Sequence, residues 1–259
     1  MIKAIFFDID GTLLSHKTNQ VPASTFKALT MLKDKGIYTF AATGRHITEI
    51  QELTQLNDLP LTGWITLNGQ YCYNDEGVYD ALPFDPSVIN TILTMLDEEP
   101  FPCMFVSAKE MIINYHDDWV KHAQKAIHTS LPPLGDLKAM AEEPIYQIIP
   151  YVSEDKSQSI LAQIHDVKAT RWHEYGLDFL PATGGKDYGI QRTCDYYHVD
   201  LSETMAFGDG DNDISMLDIV GISVAMGNSA PQLIAHADYV TDDIDHDGLY
   251  KALEHFHII

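Results

Sequence analysis

Residues 5–14 read IFFDIDGTLL, an apolar run that ends in two aspartates one residue apart. Asp10-Gly11 is a pair typical of turns, and a turn alone would explain one of the two aspartates. In an extended chain, residues two apart point to the same side, so Asp8 and Asp10 would lie in each other's electrostatic field. Like charges at close range raise a pKa or require a cation. The stretch therefore predicts a strand that ends either in a plain turn or at a cation site.

The segments on either side of this stretch alternate between strand and helix patterns. Continuous apolar runs, typical of strands buried on both faces, lie at 2–7, 37–42, 64–69, 204–209 and 221–226. Helical patterns lie at about 24–36, 47–56, 186–198, 211–219, 230–237 and from 247 onward. This alternation predicts an α/β fold with a doubly wound, parallel, Rossmann-like sheet.

The middle of the chain has a different pattern. Between about residues 83 and 182, strand-like pieces such as CMFVS and IYQIIPYV mix with helical pieces such as PSVINTILTML, and proline-rich stretches interrupt them. We interpret residues 83–182 as an inserted α+β domain, so that residues 1–82 and 183–259 together form the core. Arg171, Trp172 and His173 in this insertion are either candidate contacts to a leaving group or part of its interior.

Composition limits the partners that this protein can have. The 259 residues are 45% hydrophobic, enough for the cores of two domains. A net charge of −22 disfavours binding to nucleic acid and to anionic membranes. The three cysteines are widely spaced and fit neither a disulfide framework nor a zinc site. No signal peptide pattern or membrane-spanning apolar run is visible. We therefore expect a cytoplasmic protein, and the sequence leaves its oligomeric state unknown.

A second acidic cluster, GDGDND at 208–213, follows another predicted strand. A helix N-cap with acids that complement the helix dipole would explain Asp211 well and Asp213 in part. It would not explain Asp209, which stands at the strand tip before the helix. Ligands of open parallel sheets bind outside the carboxyl ends of the strands, so the two acidic clusters are expected to converge there.

Carboxylates from two strands suit Mg²⁺, which binds a few carboxylates together with water and substrate phosphate. Such a cation would keep Asp8 ionised, and an ionised carboxylate is a competent nucleophile for forming an aspartyl-phosphate. Asp10 could then give a proton to the leaving group and later take one from water. Thr43-Gly44, which also ends a predicted strand, and Lys186 would hold the phosphoryl oxygens.

In this order, DIDGTLL, ATGR, an isolated lysine and GDGDND resemble the four motifs of the haloacid dehalogenase superfamily of phosphatases. The insertion resembles that of the Cof-like branch, subclass IIB, of the sugar-phosphatase type. The resemblance covers essentially the whole chain. It implies a magnesium-dependent phosphomonoesterase that acts on small phosphorylated metabolites such as sugar phosphates, with the insertion closing over the site as a cap.

The resemblance also implies a role for each matching residue. Asp8 would be the nucleophile and Asp10 the general acid/base. The metal would be held by Asp8, the Asp10 backbone carbonyl and Asp209. Phosphate or substrate would be contacted by Thr43, Gly44, Lys186 and Asn212. Asp213 would orient the metal's water or Lys186. Apart from the resemblance, Arg45 is a fixed positive charge beside the site that could receive a phosphate or organise its mouth, or it could form an ion pair that holds the loop. Asn68-Gly69 either matches a recurrent pair of this branch or is a plain turn.

Two features depart from the pattern of this branch. Lys186 is followed by Asp-Tyr-Gly, where a small residue or glycine often comes sooner, but no other lysine occurs in the seventeen residues before it. Asp211 adds negative charge to the fourth motif. It would disfavour highly anionic substrates unless it is a solvated loop residue, which is the interpretation we favour.

Two other patterns suggest metal sites that we do not favour. Residues 243–254 (DIDHDGLYKALE) fit the calcium-loop pattern D-x-D-x-D-G-x5-E. No helix is predicted before them, so we interpret them as an acidic loop that caps the last helix. His16 and His46 lie close in sequence to the first two motifs, and we expect them on the solvated surface rather than at the site entrance.

Three other functions stay open at this point. A phosphomutase would use the same aspartate but return the phosphoryl group to its substrate. A phospho-accepting module of the response-regulator kind also has an acidic pocket, but with a different arrangement of acids and no insertion of this size. A non-catalytic phospho-ligand binding protein on this fold would be expected to lack one of the key residues, and all of them are present.

Overall fold

The computed structural model describes residues 1–126 and 129–259, and it divides into two compact units. The larger unit comprises Met1–Ala81 and Gly185–Ile259, and the smaller unit comprises Leu82–Gly184. The boundaries expected from the sequence, 82/83 and 182/183, lie one and two residues from these. That the smaller unit acts as a substrate-specificity cap stays a prediction.

The elements follow one another in three stretches of chain. The first stretch contains β1 (Ala4–Phe7), α1 (Ala23–Asp34), β2 (Tyr38–Ala42), α2 (Ile47–Glu52), α3 (Thr54–Asn57), β3 (Gly63–Thr66), β4 (Tyr71–Asn74) and β5 (Gly77–Ala81). The smaller unit contains α4 (Pro86–Glu98), β6 (Cys103–Ser107), β7 (Met111–Ile113), α5 (Asp118–Ala126), α6 (Leu137–Met140), β8 (Ile145–Pro150), α7 (Glu154–Leu161), β9 (Val167–His173) and β10 (Gly176–Pro181). The last stretch contains α8 (Lys186–Tyr197), β11 (Thr204–Gly208), α9 (Ile214–Leu217), β12 (Ile222–Ala225), α10 (Pro231–Ile234), β13 (Tyr239–Val240) and α11 (Gly248–His255).

The sheet of the larger unit has the strand order β13-β12-β11-β1-β2-β3-β4-β5. Strands β13 to β3 are parallel, which confirms the predicted parallel α/β core. Strands β4 and β5 were not predicted and run antiparallel to their neighbours. The reversal has a local cause: a single 3₁₀ turn, Leu67–Gly69, joins β3 to β4, and it is too short for the crossover that a parallel pair needs.

Strand β1 is buried at all of its four positions, as its continuous apolar run predicts. Ile5 and Phe7 pack into the hydrophobic cluster that also contains Leu29 of α1 and Leu253 of α11. Phe6, on the opposite face, belongs to the cluster that includes Ile190 of α8. Helices thus cover both faces of the sheet, and the polar ends of its strands are left as the place for a site.

Three predicted elements differ in detail. The helix predicted over 47–56 is two helices, because the backbone at Leu53 (φ −92°, ψ 76°) leaves the helical region between α2 and α3. The strand predicted over 64–69 stops at Thr66, where the chain turns through left-handed conformations at Leu67 and Asn68. The helix predicted over 211–219 begins as a 3₁₀ turn, Asp211–Asp213.

The smaller unit is an antiparallel sheet with the strand order β7-β6-β8-β10-β9 and helices of its own, as the predicted α+β composition requires. Arg171 donates to the Glu154 carboxylate at 2.7 Å and to the Ser157 hydroxyl at 2.9 Å. The Trp172 indole N–H donates to Asp178 at 2.9 Å. These bonds tie β9 to its own unit, and a contact of these residues with a leaving group stays a prediction.

Within the described ranges 1–126 and 129–259, no helix is long and apolar enough to cross a membrane.

Candidate active site

Three adjacent parallel strands end in polar residues at one edge of the larger unit's sheet. β1 lies between β11 and β2, so the residues after their carboxyl ends, Asp8, Asp209 and Thr43, become neighbours. The Asp8 N–H donates to the Phe207 carbonyl at 3.0 Å and continues the pairing of β1 with β11 up to the acidic residues. The structure therefore brings together two acidic motifs that are about 200 residues apart in the chain.

Lys186, the first residue of α8, lies between two carboxylates. Its ammonium donates to Asp8 Oδ1 at 2.5 Å and to Asp213 Oδ1 at 2.6 Å. The lysine side chain is completely buried, as is that of Asp213. The second Asp213 oxygen accepts the backbone N–H groups of Asp209 and Gly210 at 3.0 and 3.1 Å. Asp213 thus orients both the lysine and the turn that carries Asp209.

Close backbone packing sets the position of Lys186. A Cβ atom on Gly69, whose φ is +97°, would overlap the Gly185 carbonyl oxygen. A Cβ atom on Gly189 would press against Ile65 and would lie 2.9 Å from the Gly69 Cα. The start of α8 therefore rests directly on the Leu67–Gly69 turn. This contact explains why position 189, three residues after the lysine, is a glycine.

The cluster of Asp8, Asp209 and Asp213 is suited to a divalent cation. One carboxylate oxygen from each of these three residues lies within 4.8 Å of the other two. In the described part of the chain, these three residues form the group of side chains placed to share a metal ion. Burial, and then repulsion by Asp213, raise the pKa of Asp8 well above its usual range despite Lys186. Burial and the same neighbour raise the pKa of Asp209 to about 6. Asp8 and Asp209 offer hard oxygen donors, whereas Asp213 contributes charge, because its oxygens already accept from Lys186 and the backbone. Three carboxylates opposed by one buried ammonium suit a divalent cation.

The Lys186 side chain stays protonated at this position. Burial alone lowers the pKa of a lysine, but the adjacent carboxylates of Asp213 and Asp8 outweigh burial and raise the pKa of Lys186 above its usual value. A permanent ammonium therefore lies against the carboxylate predicted to be the nucleophile.

Asp10 forms a bidentate ion pair with Arg45. The two side chains are joined by bonds of 2.7 Å, from Arg45 Nε to Oδ2 and from its Nη2 to Oδ1 of Asp10. The hydrogen bond with Asp10 raises the pKa of the Arg45 guanidinium. Of the two interpretations left open for Arg45, the ion pair is the one that the structure contains. Because each Asp10 oxygen accepts one N–H of Arg45, the ion pair orients the Asp10 carboxylate.

The second motif forms a tight turn beside the acidic cluster. The buried Thr43 hydroxyl accepts the backbone N–H of Arg45 at 3.1 Å, and the Thr43 carbonyl accepts the N–H of Asn68 at 2.9 Å. The Asn68 amide lies so near Gly44 that a Cβ there would be 3.0 Å from Asn68 Oδ1. The Asn68-Gly69 turn therefore packs against the predicted phosphoryl-binding residues. By contrast, Asn212 and Asp211 are exposed.

Two side chains that sequence reasoning missed hold Asp209. Thr12 donates its hydroxyl to Asp209 Oδ1 at 3.0 Å, and the Asn228 amide donates to Asp209 Oδ2 at 3.3 Å. A signal for Asn228 was available, because it follows β12, which is another parallel strand with its carboxyl end at the same edge of the sheet. Thr12 lies inside the DIDGTLL motif.

The two disfavoured metal patterns have structural explanations. A strand rather than a helix precedes the loop, as interpreted from the sequence. The Asp243 carboxylate, however, caps the backbone N–H of Asp245 at 2.7 Å in the loop's own 3₁₀ turn, Ile244–His246. Asp247 occupies the N-cap position of α11 but makes no side-chain capping bond, so the expected side-chain cap on the last helix was wrong. For His46 the surface expectation was wrong: its side chain is buried and accepts the Thr48 N–H as the N-cap of α2. His16 is exposed, as expected.

Comparison with known proteins assigns the family. Residues 5–253 match the family model described as haloacid dehalogenase-like hydrolase. The chain belongs to this family. A Bacillus subtilis (strain 168) protein named "Putative phosphatase YkrA" is 34% identical over 253 residues, which cover 97% of this chain and 96% of that protein.

Two solved structures are similar over nearly their whole length. BT1666 from Bacteroides thetaiotaomicron, described among the phosphatases of the haloalkanoate (HAD) enzyme superfamily, has a TM-score of 0.92 at 35% identity and covers 100% of this chain and 96% of its own. BT4131, described as a HAD subclass IIB sugar phosphatase, has a TM-score of 0.84 at 35% identity and covers 99% of this chain and 100% of its own. The family, the α/β core and the hydrolase class stated from the sequence are confirmed.

Gly11 in this haloacid dehalogenase-like chain is expected not to tolerate a side chain. Its φ is +92°, and a Cβ would overlap the Asp209 carboxylate. Gly11→Ala should lose about 1–3 kcal/mol of unfolding free energy from backbone strain and should also displace Asp209. Gly36→Ala is a matched control, because Gly36 also has a positive φ (+73°) but a Cβ atom there would meet nothing within 4 Å. Urea unfolding should show that both variants are destabilised. Phosphate release should be lost in Gly11→Ala alone, and equal activity of the two variants would contradict this expectation.

Lys186→Met is expected to destabilise the larger unit. The substitution leaves Asp8 and Asp213 buried without their ammonium, and an uncompensated buried charge of this kind costs about 3–5 kcal/mol. Divalent cation should restore part of the loss, because it binds the folded form. Urea unfolding with and without MgCl₂ measures both effects, with Lys33→Met on the exposed surface of α1 as control. An unfolding free energy equal to that of Lys33→Met would contradict the expected charge balance.

Proposed function

We propose that this protein is a magnesium-dependent phosphomonoesterase that hydrolyses small phosphorylated metabolites through an aspartyl-phosphate on Asp8. The observation that carries the proposal is the buried arrangement of Asp8, Lys186 and Asp213 beside Asp209. The family and its curated relatives indicate the phosphatase class. The side chains of Asp8 and Asp209 and the backbone carbonyl of Asp10 would hold Mg²⁺, which, when bound, offsets negative charge on the carboxylates and the phosphoryl group.

Each residue of the chain has a definite task in this proposal. The Asp8 carboxylate attacks phosphorus and displaces the alcohol of the substrate. Lys186 offsets charge at Asp8 and on the transferring phosphoryl group, whose oxygens the Thr43 hydroxyl and nearby backbone N–H groups bind. Asp10 gives a proton to the leaving oxygen and later takes one from the water that hydrolyses the aspartyl-phosphate. Asn212, exposed at the fourth motif, contacts the substrate.

A small sugar phosphate is the substrate class that we favour. The likeness to BT4131, which is described as a sugar phosphatase, supports it. The net charge of the chain is −22, so a substrate with several phosphates would be repelled over most of the surface. A monophosphate carried on a neutral polyol meets less of this repulsion and can still use the local charge of Lys186.

The test is phosphate release from a panel of sugar phosphates, nucleotides and phosphorylated small acids, with MgCl₂ and with chelator. We expect release from sugar phosphates, loss with chelator, and recovery when excess Mg²⁺ is restored. Recovery with Mn²⁺ but not with Mg²⁺ would contradict the choice of metal. Absence of release from every substrate, with the protein folded, would overturn the phosphatase proposal and favour the mutase or the binding protein. A trapped aspartyl-phosphate would then exclude the non-catalytic binding protein.

A further inference from the structure

Asn228, in the turn after β12, joins three parts of the larger unit. Its side-chain N–H₂ group donates to the Gly11 carbonyl at 2.9 Å and to Asp209 Oδ2 at 3.3 Å. Its side-chain oxygen accepts the backbone N–H of Ile244 at 3.1 Å. One amide therefore connects the turn of the first motif, a carboxylate of the acidic cluster and the segment that precedes α11.

The hydrogen-bond partners of Asp209 are neutral. Asn228 contacts one oxygen, and the buried Thr12 hydroxyl contacts the other at 3.0 Å. The remaining site carboxylates, in contrast, accept from the cations Lys186 or Arg45. Neutral donors can orient a carboxylate without cancelling the charge that attracts a cation, so Asp209 is held in place while its charge remains available.

Asp209 needs such restraint because of its neighbours. It lies within 4.8 Å of the carboxylates of Asp8 and Asp213, and without a cation their repulsion favours rotation of Asp209 away from the cluster. A donor on each oxygen opposes this rotation. Partners outside the ligand shell that fix ligand orientation commonly determine metal affinity, because less reorganisation is needed on binding.

The acidic turn, defined here as residues 243–247, contacts Asn228 through the Ile244 N–H. The Ser15 hydroxyl donates to Asp245 Oδ1 at 2.7 Å, which joins this turn to the loop after the first motif. The Gly227 N–H donates to the Asp242 carbonyl at 3.0 Å, and a Cβ on Gly227 would lie only 2.5 Å from the Asp243 nitrogen. The stretch that resembles a calcium loop is thus packed against the turn that carries Asn228.

We propose that Asn228 is a positioning residue for the metal-binding carboxylate of Asp209, and that the acidic turn serves as its support. This inference rests on the proposed function, because it assumes that Asp209 binds the divalent cation. It assigns a structural purpose to the calcium-like stretch, which holds Asn228 through the Ile244 N–H.

The test measures Mg²⁺ binding by isothermal titration calorimetry and compares the full-length parent protein with its Asn228→Ala and Asn90→Ala variants. Asn228→Ala is expected to raise the Mg²⁺ dissociation constant about 10-fold or more, the usual effect of losing an outer-shell partner. The rise in melting temperature that Mg²⁺ produces should shrink in parallel. The Mg²⁺ concentration for half-maximal activity should increase much more than kcat at saturating Mg²⁺ falls. Asn90→Ala, on the exposed surface of α4, is the matched control and should bind Mg²⁺ like the parent.

The outcomes separate this inference from the proposed function. If the parent binds Mg²⁺ and folded Asn228→Ala binds it with the same affinity, Asn228 has a merely structural role and the inference is overturned alone. If the parent binds no Mg²⁺, both the inference and the proposed function fail. Where Asn228→Ala does not fold, Asn228→Ser, whose hydroxyl is too short to reach Asp209, takes its place; unchanged affinity in that variant likewise overturns the inference.

Discussion

Asp8→Asn is expected to abolish phosphate release while the protein stays folded. An amide has the size and shape of the carboxylate but is not a nucleophile toward phosphorus, so no aspartyl-phosphate can form. The fold should not suffer, because Asp8 lies in the repulsive field of Asp213 and burial already disfavours its charge. Lys186 keeps its bond to Asp213 in the variant. We therefore expect a melting temperature equal to or above that of the parent, measured without added metal.

The control for this experiment is Asp75→Asn, in the exposed turn between β4 and β5. It removes the same charge at an exposed position outside the four motifs and should leave turnover unchanged. Single-turnover reactions with ³²P-labelled substrate, quenched in acid, should show labelled protein for the parent and for Asp75→Asn but none for Asp8→Asn. Appreciable turnover by Asp8→Asn would rule out Asp8 as the nucleophile.

Asp10→Asn is expected to slow hydrolysis of sugar phosphates by about 10²- to 10⁴-fold, the usual contribution of a general acid. The loss should depend on the leaving group. A sugar alkoxide is a poor leaving group that needs a proton, whereas the anion of an acidic phenol needs little help. Rates for a sugar phosphate and for an aryl phosphate, measured in parent and variant, give the comparison.

The ion pair with Arg45 makes this second experiment informative about positioning. The amide introduced by Asp10→Asn can offer Arg45 only one acceptor oxygen in place of two. Because the pair is partly exposed, with 27% and 33% of the two side chains accessible, little stability should be lost. Equal slowing for both substrates would show that Asp10 organises the site rather than protonating the leaving group. An unchanged rate for the sugar phosphate would mean that another group supplies the proton.

The charge distribution explains how an acidic protein could accept an anionic substrate. The chain as a whole is strongly negative, but Lys186 and Arg45 lie within the predicted site, each bonded to carboxylates. In the metal-free cluster the acids outnumber the ammonium, so phosphate affinity is expected to depend on prior binding of the cation. Substrate binding measured in chelator should accordingly be much weaker than in Mg²⁺.

Much of the fold was accessible from the sequence because its signals are local. Continuous apolar runs identify the buried strands β1, β2 and β11, since a strand covered on both faces has no polar side. The residues that follow those runs, including Asp8 and Asp209, could be assigned to one edge of the sheet, because parallel strands share the direction of their carboxyl ends. The sequence by itself therefore determined the architecture, the family resemblance and the principal acidic residues.

The tertiary structure decided what depends on contacts between distant segments. Three such contacts are the ion pair of Arg45 with Asp10, the buried position of His46 and the hydrogen bond from Asn228 to Asp209. The local sequence around these side chains is compatible with several environments. The glycine contacts that seat Lys186 join residues more than 100 positions apart. Such pairings have no periodicity or composition to reveal them, because they arise only when sheet order and close backbone approach set the distances between side chains.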